Sequence, residues 1–478
     1  MIRGLVTIEA LMMMLPVTLA QDAGAVIGSA SKAISADTLT SIEYSGSGSD
    51  FCLGQAFSLT SGWPRISVKN YTRVIDFSGP ASRQTAIRSQ PEGPVRGGCG
   101  QPINQQNQNT TIAANAPWAA KLEILLTPVG FLKVATANHP TATTRTISGK
   151  KFTVVSFTAE DKYKVNGYID GDNMLETVET WVENDTLGDM LVEAAFTDYK
   201  DFGGVKFPAR IVQKRGGYPV LDLSISDVKP NAPMPAQNTQ AKGRGGAGRA
   251  GGAQPVEASQ KLADGVYLIV GPYQSVAVDF KNYIVAIEAP LSEARSEEIL
   301  AEIKKAIPNK PVKYVVNTHS HFDHTGGLPV FVAEGATIIT HQINKPYYEK
   351  AFSAPRSLAP DKMSESKKKP KFETMTERKV LTDGSRVIEL YHVQNSPHAE
   401  GIIFAFLPKE KILVEADVFT APPANAPTPN PLNAWHVNFA DNLERLKLDY
   451  ETIVPIHGAP GGRRVTRADL MTNVGRAN

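Results

Sequence analysis

The chain has 478 residues, of which 42% are hydrophobic and 21% are charged, and its formal net charge is +2. This length suffices for two or three domains of ordinary globular composition. The near-neutral charge offers no electrostatic basis for binding nucleic acid and argues against enzymes that process RNA or DNA.

The first twenty residues have the pattern of an export signal. Arg3 precedes an apolar stretch interrupted by Glu9, and the small residue Ala20 comes before Gln21. A signal peptide over residues 1–20 would place the protein in the periplasm or outside the cell. An ordinary N-terminal helix, or a start codon further along, is the alternative. No other stretch approaches the length that spans a bilayer, so we expect no transmembrane segment.

Residues 21–230 are predicted to form a β-rich N-terminal domain. The segment Asp198–Ile211 resembles the late strands of lipoprotein-carrier half-barrels, which implies a sheet that binds an apolar ligand or braces the rest of the enzyme. The polar segment Gln101–Thr111 predicts an exposed loop. Helical patterns are scarce, and the stretches with strand composition are Arg65–Lys69, Thr72–Asp76, Phe152–Phe157, Glu176–Val182 and Leu221–Ile225.

Cys52 and Cys99 are the only cysteines, and both precede every candidate metal ligand. In an oxidising compartment they are able to form one disulfide, and two buried free thiols are the alternative. We expect neither thiol to bind a metal ion.

The chain changes character at residues 231–257, which are rich in Gly, Ala and Pro. A segment with so few apolar side chains predicts a flexible linker, and the basic residues within it are expected to be solvated. The linker separates the β-rich domain from a second domain over residues 258–478.

The second domain begins with three short apolar strands, predicted at residues 265–270, 275–280 and 283–287. A helix is predicted over Ser292–Ile307, because Ile299, Leu300 and Ile303 share one apolar face. Strands and helices alternate from there onward, which indicates an α/β fold.

A cluster of potential metal ligands follows the apolar stretch Lys313–Asn317. His319, His321, Asp323 and His324 lie within six residues. Imidazole nitrogens together with a carboxylate suit Zn²⁺, with iron and manganese as alternatives. A strand that ends before this run would project His319 and His321 to the same side, and a tight turn would bring the other two beside them. The alternative is a set of core or surface histidines without metal.

This run resembles the signature of the metallo-β-lactamase fold superfamily, whose later ligands also have counterparts here in His398, Asp417 and His457. The resemblance implies an αββα metallo-β-lactamase sandwich after the β-rich domain. It also implies two metal ions, the first bound by His319, His321 and His398 and the second by Asp323, His324 and His457, with Asp417 bridging them. The chain departs from the family at Pro397, Ala399 and Ala416, which are neighbours of ligands and not ligands themselves.

Three further histidines are expected to be structural or to lie at the rim of the site. His392 lies only six residues before His398 but falls inside a predicted strand, whereas ligands of this fold come from loops. His341 follows another apolar stretch, and His436, beside Trp435, is the one of the three that we consider for substrate contact. The segments 342–377 and 421–431 are expected to border the pocket.

The resemblance implies a hydrolase for a small-molecule ester, lactone, thioester or amide, which uses a hydroxide generated from water by two metals. Asp323 is the predicted catalytic residue, because a carboxylate beside that hydroxide is able to orient it and pass on its proton. A β-lactamase is disfavoured, because Asp417 stands where those enzymes have a cysteine or no acid. The alternatives are a mononuclear iron enzyme of the persulfide dioxygenase kind and a binding protein with a vestigial metal domain.

Overall fold

The computed structural model describes residues 22–90, 96–99, 106–235 and 259–476. The predicted signal peptide, and the predicted linker from residue 236 onward, lie outside the described residues.

Within the described residues of the N-terminal part, eleven strands form one antiparallel sheet. Its first and last long strands pair with each other, so the strand order is β4-β3-β2-β1-β11-β10-β9-β8-β7-β6-β5. The five stretches with strand composition all lie within this sheet. The strands are β1 (Ser41–Phe51), β2 (Arg65–Asp76), β3 (Ala81–Ser89), β4 (Gln106–Ile112), β5 (Thr141–Ile147), β6 (Lys150–Ala159), β7 (Tyr163–Ile169), β8 (Leu175–Asn184), β9 (Gly188–Phe202), β10 (Val205–Arg215) and β11 (Tyr218–Pro230).

Three helices that the sequence pattern did not predict pack against this sheet: α1 (Ala23–Ile34), α2 (Trp118–Leu125) and α3 (Pro128–Thr136). Their apolar side chains share one core with the strands. Helix α3 has Pro128 at its first position, and the hydroxyl of Thr127 accepts a hydrogen bond from the backbone N–H of Gly130, which caps the helix. Helices this short are stabilised mainly by tertiary packing, so their sequence signal is weak.

The predicted loop at Gln101–Thr111 is wrong for the part that the structure describes. Strand β4 pairs antiparallel with β3 at the edge of the sheet. Asn107 and Asn109 are exposed there, whereas Ile112 is buried. A strand with one solvated face tolerates amide side chains, and their polarity concealed the strand in the sequence.

Two further sheets form the C-terminal part. The first contains seven strands: β12 (Gln260–Ala263), β13 (Val266–Ile269), β14 (Ser275–Asp279), β15 (Ile284–Ile287), β16 (Val312–Val316), β17 (Thr337–His341) and β18 (Lys371–Met375). The second contains six: β19 (Arg378–Thr382), β20 (Val387–His392), β21 (Ile403–Leu407), β22 (Ile412–Glu415), β23 (Thr452–Pro455) and β24 (Val465–Thr466). Apolar side chains of both sheets meet in one core.

Helices cover the outer faces of these two sheets and complete an αββα sandwich. One apolar core joins the first sheet to α4 (Glu293–Ala306) and α6 (Leu328–Glu334), and another joins the second sheet to α9 (Ala434–Leu446) and α10 (Arg467–Asn473). The other α-helices in the described residues of this part are α5 (Phe322–Thr325), α7 (Lys345–Ser353) and α8 (Lys362–Ser366). The predicted fold class, an α/β sandwich after a β-rich region, is therefore confirmed.

Helix α4 matches the predicted helix to within one residue at each end. The hydroxyl of Ser292 accepts a hydrogen bond from the backbone N–H of Arg295 and caps its first turn, while Ile299 and Ile303 are fully buried. None of the helices in the described parts of the chain is long and apolar enough to cross a membrane.

The two cysteines form a disulfide. Cys52 directly follows β1, and its Cα lies 5.9 Å from that of Cys99. The structure thus decides between the two alternatives that the sequence left open.

Candidate metal centre

Loops at one end of the sandwich bring the seven predicted ligands together. Strand β16 ends shortly before His319, β22 ends shortly before Asp417, and β23 ends shortly before His457. Strands β22 and β23 are parallel neighbours, so their carboxyl ends open at the same edge of the sheet. The remaining histidine, His398, lies on the loop that enters β21.

The first donor group consists of His319, His321, His398 and Asp417, whose potential ligand atoms all lie within 4.8 Å of one another. Nε2 of His319 is 2.9 Å from Nδ1 of His321 and 3.1 Å from Nε2 of His398. Oδ2 of Asp417 is 3.0 Å from Nε2 of His398. All three histidines are buried, so their nitrogens face one another with little access to water.

The second donor group consists of Asp323, His324, Asp417 and His457, and it has the same compactness. Nε2 of His324 is 3.0 Å from Oδ2 of Asp417, 3.6 Å from Oδ2 of Asp323 and 3.2 Å from Nε2 of His457. Oδ1 of Asp417 contacts Nε2 of His457. Asp417 therefore faces both groups, which is the arrangement expected of a bridging carboxylate.

A tight turn aims the Asp417 carboxylate. Asp417 has a φ of 64°, a left-handed conformation that is uncommon outside glycine. The buried side chain of Glu415 supports this turn, because its Oε2 accepts hydrogen bonds of 3.2 Å from the backbone N–H groups of Val418 and Phe419. Burial raises the pKa of Glu415 well above its ordinary value.

Outer contacts select the nitrogen that His321 and His324 present to their groups. Nε2 of His321 donates to the carbonyl oxygen of Ala56 at 3.0 Å, which directs Nδ1 of His321 inward. Nδ1 of His324 donates to Oε2 of Glu288 at 2.9 Å, which directs its Nε2 inward. Such partners orient metal-binding histidines and increase their basicity.

The electrostatic environment suits cations. Burial, reinforced by neighbouring histidines, lowers the pKa values of His319 and His321 well below the ordinary range, so both rings are neutral, as metal ligands must be. Burial also disfavours the charged form of His324, but the carboxylates of Asp417, Asp323 and Glu288 outweigh it and raise its pKa well above the ordinary value. The second group thus attracts positive charge, and the residues present fit two divalent metal ions.

Both oxygens of Asp323 are engaged by residues that the sequence pattern did not identify. Oδ1 accepts a hydrogen bond of 2.8 Å from Nε2 of Gln55, and Oδ2 accepts one of 2.9 Å from the hydroxyl of Tyr273. The ring of Tyr273 also lies 4.2 Å from that of His457. Gln55 belongs to the N-terminal part of the chain, and no local pattern marks it as part of the site.

Glu288 was also missed, although the sequence contains a signal for it. The residue follows the fully apolar strand β15, is completely buried, and has a φ of 76°. Its Oε1 accepts a hydrogen bond of 2.6 Å from the backbone N–H of Thr318. A buried carboxylate needs hydrogen-bond donors. Those of Glu288 are the backbone N–H of Thr318 and Nδ1 of His324.

The other histidines lie outside both donor groups. His341 and His392 stack on each other with ring centres 4.4 Å apart. His436 is buried, with its Nδ1 2.6 Å from Oδ1 of Asn473 and its Nε2 accepting a hydrogen bond from the backbone N–H of Thr420. Both ring nitrogens of His436 therefore have protein partners, which favours a structural role, and its contact with substrate stays a prediction.

The segment 342–377 contributes to the interior of the fold as well as to its surface. The fully buried Tyr348 places its hydroxyl 3.1 Å from the carbonyl oxygen of His319 and also donates to Asn317. Tyr348 therefore stabilises the backbone around His319 from the protein interior, and its side chain is not at the surface. Trp435 is an aromatic residue that lies against the first group, and its ring centre is 4.9 Å from that of His398.

Part of the chain is similar to a curated protein. The alpha subunit of 2,4-dinitroanisole O-demethylase from Nocardioides sp. (strain JS1661) is 24% identical over 206 residues, which are 42% of this chain and 57% of that protein. The chain thus spans little more than half the length of this curated relative.

Three solved structures illustrate the similarity. The metallo-beta-lactamase from Pontibacter korlensis is 19% identical with a TM-score of 0.36, covering 46% of this chain and 98% of its own. The DIM-1 metallo-beta-lactamase is 19% identical with a TM-score of 0.35, covering 46% and 97%. The rubredoxin oxygen:oxidoreductase from Desulfovibrio gigas is 18% identical with a TM-score of 0.33, covering 42% and 56%.

The family whose sequence profile matches the chain is described as the Metallo-beta-lactamase superfamily, and the match covers residues 290–457. Every residue of the two donor groups lies within that range. Residues 290–457 are therefore a metallo-beta-lactamase superfamily domain.

Proposed function

We propose that this protein is a hydrolase that uses two divalent metal ions. The observation that carries the proposal is the position of Asp417, which faces His319, His324 and His398 with Oδ2 at 3.0 to 3.2 Å and His457 with Oδ1. One carboxylate shared by two compact donor groups is the arrangement of a two-metal centre. Nitrogen donors with few carboxylates favour zinc, with iron or manganese as alternatives.

Bound divalent ions would supply activated water near neutral pH and stabilise charge that develops on the substrate oxygen. The chain supplies orientation and proton transfer. Asp323 is held by Gln55 on one oxygen and by Tyr273 on the other, at the edge of the second group. Such a fixed carboxylate is placed to orient the attacking water and to pass its proton to the leaving group.

The exposure of the ligands indicates where the substrate approaches. The side chain of His457 is 35% exposed, whereas those of His319 and His324 are fully buried. Substrate therefore reaches the second group first. Tyr273 stands beside this opening, against His457. We propose an ester, lactone, thioester or amide with an apolar or aromatic portion as the substrate class.

Aryl methyl ethers are a second candidate substrate class. The curated relative is named for O-demethylation of 2,4-dinitroanisole, a nitroaromatic ether. Trp435 and Tyr273 supply aromatic surfaces on the two sides of the donor groups, against His398 and His457 respectively, which suits an aromatic ring. An aryl methyl ether is therefore included among the substrates to be tested.

Export and a division at residues 231–257 are also proposed. The Cys52–Cys99 disulfide supports an oxidising compartment, consistent with an export signal over residues 1–20. Strand β11 ends before residues 231–257 and β12 begins after them, and among the described strands no sheet takes members from both sides. Two separate sheets of this kind are what two domains joined by a linker would contain.

Metal analysis combined with a substrate panel tests the proposal. The purified protein is expected to contain two zinc ions per chain and to hydrolyse at least one member of a panel of chromogenic esters, lactones, thioesters, amides, a cephalosporin and 4-nitroanisole. Asp417→Asn should lose both metal and turnover, whereas the exposed Asp441→Asn should retain both. One iron per chain would favour the oxygenase alternative, and a protein unable to bind metal would overturn the proposal.

A further inference from the structure

A loop from the N-terminal sheet reaches the donor groups. It comprises Cys52–Phe57, between β1 and β2, and we call it the 52–57 loop. The disulfide ties its first residue to Cys99. The backbone N–H of Gln55 donates to the carbonyl oxygen of Cys52 at 3.1 Å, and that of Gly98 donates to the carbonyl oxygen of Gln55 at 3.0 Å. The covalent link and these hydrogen bonds brace the loop in one conformation.

Three consecutive residues of this loop each form a hydrogen bond with one residue of the ligand run. The carbonyl oxygen of Gly54 accepts a hydrogen bond of 3.2 Å from the backbone N–H of Phe322. Gln55 donates to Asp323 at 2.8 Å. The carbonyl oxygen of Ala56 accepts from Nε2 of His321 at 3.0 Å. The contacts therefore include a ligand of the first group and a ligand of the second.

The same region of the N-terminal part also holds the loop that carries His398. The backbone N–H of Glu400 donates to the carbonyl oxygen of Phe57 at 2.9 Å. The backbone N–H of Gly97 donates to the carbonyl oxygen of Pro397 at 3.0 Å. These backbone contacts flank His398 on both sides, so the N-terminal part touches two segments of the centre: the ligand run, at His321 and Asp323, and the His398 loop.

A second anchor lies at the turn between β8 and β9. The hydroxyl of Thr186 lies 2.9 Å from that of Thr325, which ends the short helix α5 of the ligand run, and both groups are buried. Nη2 of the buried Arg356 donates to the carbonyl oxygen of Thr186 at 3.1 Å. The backbone N–H of Asp189 donates to the carbonyl oxygen of Pro355 at 2.7 Å. With this anchor, the N-terminal sheet is held against the ligand run at two separate places.

We propose that the N-terminal part of the chain is a working component of the metal centre, in which Gln55 is a positioning residue for Asp323 and the Ala56 carbonyl fixes the orientation of His321. This inference deepens the proposed function and rests on it. It assigns a role to a region for which the sequence allowed either ligand binding or bracing.

The chemistry of Asp323 explains why Gln55 matters. A carboxylate that orients water must hold one rotamer, and Asp323 does so with one donor on each oxygen. Without the amide of Gln55, Tyr273 alone would leave the carboxylate free to rotate about its remaining hydrogen bond. Loss of an outer partner of this kind typically lowers metal affinity or activity by about 10- to 100-fold.

Cobalt substitution provides a test that does not depend on the substrate. Gln55→Met keeps the length of the side chain and removes the donor. The matched control is Gln260→Met, on the exposed edge strand β12. For each full-length protein, the Co²⁺ dissociation constants and the visible absorption bands of bound Co²⁺ are measured, together with kcat and KM on the best substrate of the panel.

We expect Gln55→Met to change the Co²⁺ bands, to weaken the second Co²⁺ by about tenfold, and to lower kcat more than it raises KM. The control should match the wild type. Gln55→Glu keeps the shape but places a second carboxylate against Asp323, so its Co²⁺ bands should also change. Wild-type Co²⁺ bands and affinity in both Gln55 variants would overturn the inference. A wild-type protein that binds no Co²⁺ would instead overturn the proposed function.

Discussion

The carboxylate of Glu288 lies 2.9 Å from Nδ1 of His324, and both side chains are completely inaccessible to solvent. The other oxygen of Glu288 accepts from the backbone N–H of Thr318, directly before the ligand run. A buried carboxylate behind a histidine makes that ring a stronger electron donor and fixes its tautomer. Glu288 therefore joins β15, the strand next to β16, to the second donor group.

Glu288→Gln is expected to weaken metal binding at the second group about 10- to 100-fold, because the amide keeps the shape of the side chain but loses the charge that supports His324. Zinc dissociation constants measured by competition with a chromogenic chelator check this. Glu297→Gln, at an exposed position of α4, is the control. Equal affinities in the two variants would show that Glu288 serves only to satisfy buried backbone groups.

The choice between two nearby histidines as the third ligand of the first group is also testable. His398 belongs to the first donor group, whereas His392 stacks on His341 and its Nε2 donates to the carbonyl oxygen of Glu400. His398→Ala should therefore retain about one metal ion per chain and lose turnover. His392→Ala should retain the wild-type metal content by elemental analysis. Loss of a metal ion from His392→Ala, with wild-type metal content in His398→Ala, would instead make His392 the third ligand.

The first four donors could be predicted because they form one local cluster, and the resemblance to the superfamily implied the other three. Ligands of this kind sit just beyond buried strands, so each one ends or follows an apolar stretch that is visible in the sequence. His398 was preferred over His392 for that reason, and only His398 lies in a donor group. Helix periodicity predicted α4, whereas the sandwich was implied by the family resemblance.

The outer partners of the donors could not be predicted in the same way. Gln55 reaches Asp323 across 268 positions of sequence, and the contact exists only because the loop between β1 and β2 folds against the ligand run. Ala56 acts through its backbone carbonyl, which carries no residue-specific signal. Helices α1 to α3 escaped detection because they are short and depend on packing against the N-terminal sheet.

The stacked pair of His341 and His392 makes stability depend on pH. Burial, with repulsion from His392, lowers the pKa of His341 to about 4, while Glu377 acts in the opposite direction. Because the unfolded chain binds this proton near the ordinary pKa of about 6.5, the contribution to stability is present above that pH and is lost as the pH falls toward 4.

Urea unfolding at pH 7 and pH 5 measures this contribution. Between these values the wild type should lose about 1 kcal/mol more stability than His341→Gln, after allowance for solvent screening at the partly exposed ring of His392. His139→Gln is the control, since His139 lies in the N-terminal part, away from the stacked pair. An identical pH dependence in the wild type and His341→Gln would contradict the prediction.

Removal of the disulfide should destabilise the N-terminal part and disturb the metal centre together. The cysteines are separated by 47 positions, and chain entropy for a closed loop of that size corresponds to about 4 kcal/mol. Cys52→Ser combined with Cys99→Ser should lower the urea midpoint and alter the bands of bound Co²⁺. A reductant should change the wild type in the same direction and leave the double variant unchanged. Unaltered Co²⁺ bands in the double variant would show that the metal centre does not depend on the disulfide.

Gly54 offers the sharpest test of the contact between the 52–57 loop and the ligand run. It has a φ of +78°, and a Cβ added there would lie 2.3 Å from Cγ of Phe322. Gly149 has nearly the same conformation, with a φ of +82°, but an added Cβ would meet no atom within 4 Å. Alanine at either position incurs the same left-handed strain, of about 1 kcal/mol. Only the alanine at position 54 would also force the side chain of Phe322, which precedes Asp323, to move.

Gly149→Ala is therefore expected to lower stability by about 1 kcal/mol and to leave metal binding unchanged. Gly54→Ala should show the same loss plus the cost of displacing Phe322, and it should weaken Co²⁺ binding about tenfold because Asp323 and His321 flank that ring. Urea unfolding and Co²⁺ titration of the two full-length variants give both quantities. Equal Co²⁺ affinity in the two variants would mean that the centre tolerates movement of the loop, since the backbone strain is matched and only the contact with Phe322 differs.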